Sequence, residues 1–206
     1  MKTAVYVHGK GGSASESAFY EPLFPGGRVA GVDYRAYTPW EAGREIRDAL
    51  EKLGARSRPV TLIANSIGAF FCMNAGIDKL IRRAYFISPV VDMEMLIRSL
   101  MAQAGVTEAE LEERGVIPTA LGETLSWEYL RWVREHPIRW EAPTAILYGK
   151  CDNLVPLESI TAFAGAHSAD LTVMENGEHW FHTPEQLRFL ADWIRRKEEE
   201  NGVQAI

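Results

Sequence analysis

Ser66 stands in the stretch Ala64-Asn65-Ser66-Ile67-Gly68-Ala69, directly after the apolar run PVTLI (59–63) and before FFCM. A serine between a buried strand and a helix, with small residues two positions away on each side, matches a sharp strand-to-helix elbow that displays a hydroxyl. G-x-S-x-G is the common form, and Ala64 replaces its first glycine. By itself the hexapeptide fits equally well a serine that caps the next helix. A reactive serine also needs donors for an oxyanion, a base, and a group that orients the base. The segment HGKGGS (8–13) follows the first apolar run, and its glycines let backbone N–H groups approach a ligand. With the Ile67 amide at the head of the next helix, such donors would stabilise the negative charge of a tetrahedral intermediate. Neither G-x-x-x-x-G-K-[ST] nor G-x-G-x-x-G is present, so a phosphate loop fits poorly. His8 reads as an anchor for the loop rather than a base.

The elements that must carry these residues are legible as a series of short apolar runs. Strands are expected at 3–7, 28–32, 60–64, 84–88, 144–148 and 171–174. They read as nearly continuous hydrophobic segments, as in a parallel sheet buried on both faces. Helices alternate with them. Thr38-Pro39-Trp40-Glu41 and Thr183-Pro184-Glu185-Gln186 have the form of helix-start capping boxes. This alternation predicts a doubly wound α/β sheet with sites at the carboxyl ends of strands. Between 90 and 140 no convincing strand is visible, only helical patterns capped by Asp92, Thr107 and Ser126. The domain reading is therefore a core of residues 1–89 and 141–206 and a helical insertion of 90–140.

The chain of 206 residues is 47% hydrophobic and 24% charged, ordinary for a globular protein. Its formal charge of −6 argues against a nucleic-acid partner, which would favour a basic face. Cys72 and Cys151 are read as small core side chains, with no disulfide suggested by their spacing. No signal peptide pattern and no membrane-length apolar run is visible, so a cytoplasmic location without membrane insertion is expected.

Taken in order, HGKGGS, ANSIGA, YGKCDNLVP (148–156) and GEHWFHTPE (177–185) resemble the α/β-hydrolase superfamily across essentially the whole chain except the insertion. The first strand is already the one that leads into the oxyanion loop, so the resemblance is to a compact member lacking the usual amino-terminal strands. The resemblance implies Ser66 as nucleophile, His179 as base, Asp152 as orienting acid, and the backbone amides of Lys10 and Ile67 as oxyanion hole. The chain order Ser, Asp, His agrees with it. It also implies that the insertion is the family's variable lid.

Two alternatives stay open within the assignment. His182 lies three residues beyond His179, but it precedes the Thr183 cap and is expected to point along the incoming helix. Asp92 could replace Asp152 as the orienting acid. The H-x-x-H spacing of the two histidines lacks an evident third ligand, so no metal site is expected, and no organic cofactor is implied. In the insertion, Met93, Leu96, Trp127 and Leu130 are candidates for a substrate pocket or simply for the interior of the insertion. The expected activity is hydrolysis of an ester or related acyl bond in a small, partly apolar substrate. A carbon–carbon bond hydrolase, an acyltransferase and a non-catalytic ligand-binding protein of the same fold are the competing readings. Haloalkane dehalogenation is disfavoured, since an aspartate would be expected at Ser66.

Overall fold

A computed structural model describes residues 2–120 and 122–203. The chain divides into two compact units, one of Met1–Val91 with Trp140–Ile206 and the other of Asp92–Arg139.

The first unit is built on a six-stranded sheet: β1 (Thr3–Val7), β2 (Arg28–Val32), β3 (Val60–Asn65), β4 (Ile81–Ile87), β7 (Thr144–Gly149) and β8 (Asp170–Met174). Their order is β2-β1-β3-β4-β7-β8 and every pair is parallel. The six expected strands are all present. β4 starts three residues earlier than its apolar run suggests, because Arg82 and Arg83 are strand residues despite their charge. Its end falls at Ile87, so Ser88 lies outside it.

Both faces of the sheet are covered. Tyr6, Ile63, Tyr85 and Leu147 pack with Tyr20 and Phe24 of the chain following β1 and with Leu190, Trp193 and Ile194 of α7 (Pro184–Val203). Since side chains alternate along a strand, Val5, Leu62, Phe86 and Ile146 point to the opposite face. They too are fully or almost fully buried. α1 (Pro39–Lys52) buries Ile46 and Leu50 and packs on α2 (Ile67–Asn74), which packs on β3, while α6 (Leu157–Ala166) packs on β8. Between β1 and β2 the chain forms a 3₁₀ segment, Ala14–Leu23. β1 is where the strand order turns, with β2 on one side and β3 on the other. A crevice opens at such a switch point, above the carboxyl ends of the strands.

The second unit holds α3 (Met93–Ala104), α4 (Glu108–Arg114) and α5 (Trp127–Glu135), each started by a residue anticipated as its cap. Asp92, Thr107 and Ser126 accept the N–H of Met95, Glu110 and Tyr129 respectively. The expectation of helices alone needs correcting here. β5 (Val116–Pro118) and β6 (Thr124–Ser126) pair as an antiparallel hairpin. At three residues each they are too short to show a period of two. Leu111, Ile117, Leu125 and Leu130 are buried in this unit. Cys151 also departs from expectation. Cys72 is buried, and burial pushes its thiol up, whereas Cys151 is exposed beside the carboxyl end of β7. Among the described residues no helix is long and apolar enough to cross a membrane.

Candidate active site

The turn after β3 is strained. Ser66 has φ 51° and ψ −123°, a region that residues bearing a Cβ rarely occupy. Two backbone hydrogen bonds to the chain at the end of β4 hold it there: the Ser66 N–H donates to Ile87 O (3.0 Å), and the Val90 N–H donates to Ser66 O (3.1 Å). Close packing explains the small residues around it. A methyl group on Gly68 would lie 2.2 Å from the His8 carbonyl oxygen, and one on Gly9 would lie 3.1 Å from the Ser66 Cβ. Gly68 thus lets the head of α2 rest directly on the chain leaving β1.

That chain forms a tight turn over Gly9–Gly12, closed by the Gly12 N–H donating to Gly9 O, with Gly11 at φ 73°. Positive φ at the third turn position, and not at the second, is the pattern of a type II turn and calls for glycine. His8 anchors its start. Its Nδ1 lies 2.8 Å from Gly9 O, its ring stacks on Tyr34, and the Tyr34 hydroxyl donates to His8 O. His8 is 3% exposed and serves the loop, as its sequence position suggested.

On the other side, two loops are locked together. A Cβ on Gly149 would collide with the Gly177 backbone, 2.4 Å from its carbonyl carbon. The Cys151 N–H donates to Gly177 O and the Lys150 N–H to Met174 O. Asp152 therefore sits in a turn pressed against the loop that carries His179. One carboxylate oxygen, Oδ1, accepts the N–H groups of Leu154 (2.8 Å) and Val155 (3.0 Å). The other, Oδ2, faces His179 Nδ1 at 2.7 Å, and the Asp152 side chain is wholly buried. The charge of Asp152, after burial itself, helps push the neighbouring Tyr148 hydroxyl up to about 12.

His179 completes the line, its Nε2 lying 2.8 Å from Ser66 Oγ. His182 points elsewhere. Its Nδ1 lies 2.8 Å from Trp180 O, and its ring stacks on that of Trp180. Asp92 is occupied as the cap of α3 in the second unit.

Sequence reasoning passed over Gln186. It is 4% exposed and reaches back from the first turn of α7, accepting the His182 N–H and donating to Asn176 O, so it braces both ends of the histidine loop. Its position at the end of the Thr183 capping box was the available signal.

A cleft of about 360 Å³ lies over Ser66 and His179, lined also by Gly9, Lys10, Asn65 and Trp180. A second of about 350 Å³ adjoins it and shares Glu16, Asn65 and Trp180 with it. Both are lined by residues of the first unit. Met93, Leu96, Trp127 and Leu130 belong to the second, where Met93 and Leu130 are buried and Leu96 and Trp127 half-buried. Among the described residues no group of three or more His, Cys, Asp or Glu side chains could hold a metal ion.

A model of the alpha/beta hydrolase family matches residues 4–193. The chain belongs to that family. Solved structures of its fold include Est1E from Butyrivibrio proteoclasticus (18% identity, TM-score 0.74, covering 97% of this chain and 87% of that one). Alpha/beta hydrolase domain-containing protein 10 from mouse is similar at 16% identity and TM-score 0.75, over 96% and 90% of the two chains. A monoacylglycerol lipase from Paleococcus ferrophilus shares 18% identity at TM-score 0.63, over 94% of each chain. No curated protein matches the sequence. At these identities the likeness concerns the fold, and the chemistry of this alpha/beta hydrolase has to be argued from its own side chains.

Proposed function

We propose that this alpha/beta hydrolase is a serine hydrolase that cleaves an ester or related acyl bond of a small, partly apolar substrate. The observation that carries the reading is the unbroken line from Ser66 Oγ to His179 Nε2 (2.8 Å) and from His179 Nδ1 to Asp152 Oδ2 (2.7 Å). Such a line converts a weak nucleophile into a strong one. His179 takes the Ser66 proton as Oγ attacks the carbonyl carbon, then returns it to the leaving group. Asp152 keeps the imidazole in the tautomer whose Nε2 is free to accept, and stabilises the imidazolium that forms. Water, activated by the same histidine, then releases the acyl group and restores Ser66.

The oxyanion would be held by the amides of Ile67 and Lys10. Ile67 is the first residue of α2, where no preceding helical turn accepts its N–H. Lys10 is the second residue of the Gly9–Gly12 turn that borders the cleft. In this reading the Asp92–Arg139 unit is the lid, and the pocket candidates Met93, Leu96, Trp127 and Leu130 belong to it.

Treating the purified protein with a fluorophosphonate and mapping the adduct by mass spectrometry tests the proposal. Labelling at Ser66 is expected, with loss in Ser66→Ala and His179→Ala and retention in His182→Ala. A folded protein that takes no label would overturn the reading.

A further inference from the structure

The second cleft lies between the 3₁₀ segment, the carboxyl ends of β1, β3 and β4, and the start of α7. Ser66 does not border it; the two clefts meet at Glu16, Asn65 and Trp180. Tyr6, Tyr20, Phe181 and Leu190 are buried and form its floor. Two aromatic walls keep surface open to a ligand. Phe19 is half-buried, and Trp180, next to His179 in the chain, is 67% exposed. An indole left in water at the mouth of a cleft offers its face to a cation as well as to an apolar group.

Glu16, an exposed residue, brings a carboxylate to both clefts. Its Oε2 accepts the Tyr6 hydroxyl and its Oε1 the Ser13 N–H. Both partners are uncharged, and among the described residues no Lys, Arg or His forms an ion pair with Glu16. A carboxylate has about four acceptor positions, so these two bonds leave room for a ligand. The carboxylate lies over the Gly9–Gly12 turn: a methyl group on Gly12 would come within 2.7 Å of Oε1. Its charge therefore stands where the clefts join. Lys10 borders only the first cleft, so a positive charge on a ligand is better placed in the second. His182, which also lines the second cleft, turns its Nδ1 to Trp180 O and Glu178.

Negative charge without a counter-ion disfavours a carboxylate or phosphate on the ligand. The apolar walls disfavour a primary ammonium, whose three N–H donors would lose water with Glu16 alone to replace it. A quaternary ammonium has no N–H donor to satisfy. Its methyl groups suit the walls, and its charge is met by Glu16 and by the face of Trp180. At about 350 Å³ the cleft lies near the lower end of the roughly 300–1,000 Å³ of small-molecule sites, the size for a compact head group rather than a long chain. We propose that the second cleft binds a quaternary ammonium head group of the substrate, held by Glu16 and the face of Trp180, while the ester carbonyl lies at Ser66 in the first cleft. The inference rests on the serine hydrolase reading and adds the substrate class to it.

Matched esters test the site, each a trimethylammonio ester beside its tert-butyl isostere. The pairs are 2-(trimethylammonio)ethyl acetate with 3,3-dimethylbutyl acetate, 3-(trimethylammonio)propyl acetate with 4,4-dimethylpentyl acetate, and methyl 4-(trimethylammonio)butanoate with methyl 5,5-dimethylhexanoate. They vary the spacer and the side of the scissile bond that carries the charge. In at least one pair, Glu16→Gln should lower the ratio of kcat/KM for the cationic over the neutral ester by about tenfold at low salt. Glutamine serves a capping box as glutamate does, and any disturbance of the Gly9–Gly12 turn slows both members together, so the ratio reads the charge. Trp180→Leu, a change at an exposed position, should lower the same ratio by about threefold. Ratios left unchanged by Glu16→Gln in every pair would overturn the site while leaving the hydrolase reading intact. If 4-nitrophenyl acetate is not cleaved and Ser66 takes no fluorophosphonate, the hydrolase reading fails separately. Calorimetry of choline against 3,3-dimethylbutan-1-ol, in wild type and Glu16→Gln, then decides the head-group site without turnover. Choline preferred by the wild type and not by the variant supports it, and equal binding of the two by the wild type rejects it.

Discussion

The two units of the chain are held in different ways. In the first, backbone rests on backbone: Gly68 against His8 O, Gly149 against Gly177, and Gly31 against Ala14 O. In the second, helices are joined through a small apolar interior and a lattice of exposed ion pairs, in which Arg134 bonds Glu94 and Glu108 while Arg98 reaches the same two carboxylates. Backbone contacts tolerate no added atom, whereas exposed ion pairs contribute little each and yield readily. The difference teaches where chemistry can be held. A reacting group needs its position fixed to a fraction of an ångström, and the first unit supplies that through glycines.

The sharpest division between the units concerns two aspartates. Asp152→Asn should lower kcat by about 10⁴-fold with the fold intact, since the imidazole is then held in the wrong tautomer. Asp92→Ala should leave kcat unchanged and cost about 1 kcal/mol as a lost helix cap, read by urea unfolding. Equal effects on kcat would return Asp92 to consideration as the orienting acid.

Two glycines make the next comparison. Gly68→Ala places a methyl group into the His8 carbonyl and should cost about 3 kcal/mol or more, together with most of the fluorophosphonate labelling. Gly105→Ala, at φ 67° with open space around it, should cost about 1 kcal/mol, the penalty of the left-handed conformation alone. Similar losses at both positions would break the contrast.

Alkali separates the units more gently. Burial pushes the hydroxyls of Tyr6, Tyr20 and Tyr85 up in the first unit and that of Tyr129 in the second. The folded protein therefore keeps protons that the unfolded chain releases above about pH 10, and stability falls as pH rises beyond that point. Each such tyrosine contributes a slope of about 1.4 kcal/mol per pH unit, so the first unit should lose structure over a narrower range than the second. Tyrosinate absorbance followed alongside circular dichroism would show whether ionisation and unfolding coincide.

The smallest effect is expected from the ion pairs. Arg134→Ala should lower the melting temperature by no more than about 3 °C, and added salt should shrink the difference. Bonding to Arg134 holds the Glu108 carboxyl below its ordinary range. Its contribution is thus present at neutral pH and is lost as the carboxylate is protonated in acid.

Much of this arrangement could be read from the sequence. Buried parallel strands announce themselves as apolar runs, and the caps at Asp92, Thr107 and Ser126 act over three residues, so both were visible. The positions of Ser66, Asp152 and His179 were open to inference because each follows an apolar strand run in a distinctive turn. The hairpin at 116–126 was hidden, because its strands are too short to carry a pattern. Cys151 was misplaced because a residue beside a buried strand need not be buried itself. Glu16 and Trp180 escaped notice for a different reason: they meet Asn65 only when the ends of β1, β3 and β8 come together, and no local spacing records that.

The line through Ser66 and His179 also joins two halves of the sequence. Ser66 and the Gly9–Gly12 turn come from β1 to β3, Asp152 and His179 from β7 to α7, and β4 pairs directly with β7. The residues between β4 and β7 include the whole of Asp92–Arg139, so a break made there leaves each half with its own strands and one side of the Ser66–His179 hydrogen bond. Two such fragments, expressed as separate chains, would form a complementation pair. Ser66 labelling would then report their association, because neither fragment holds both the hydroxyl and the imidazole.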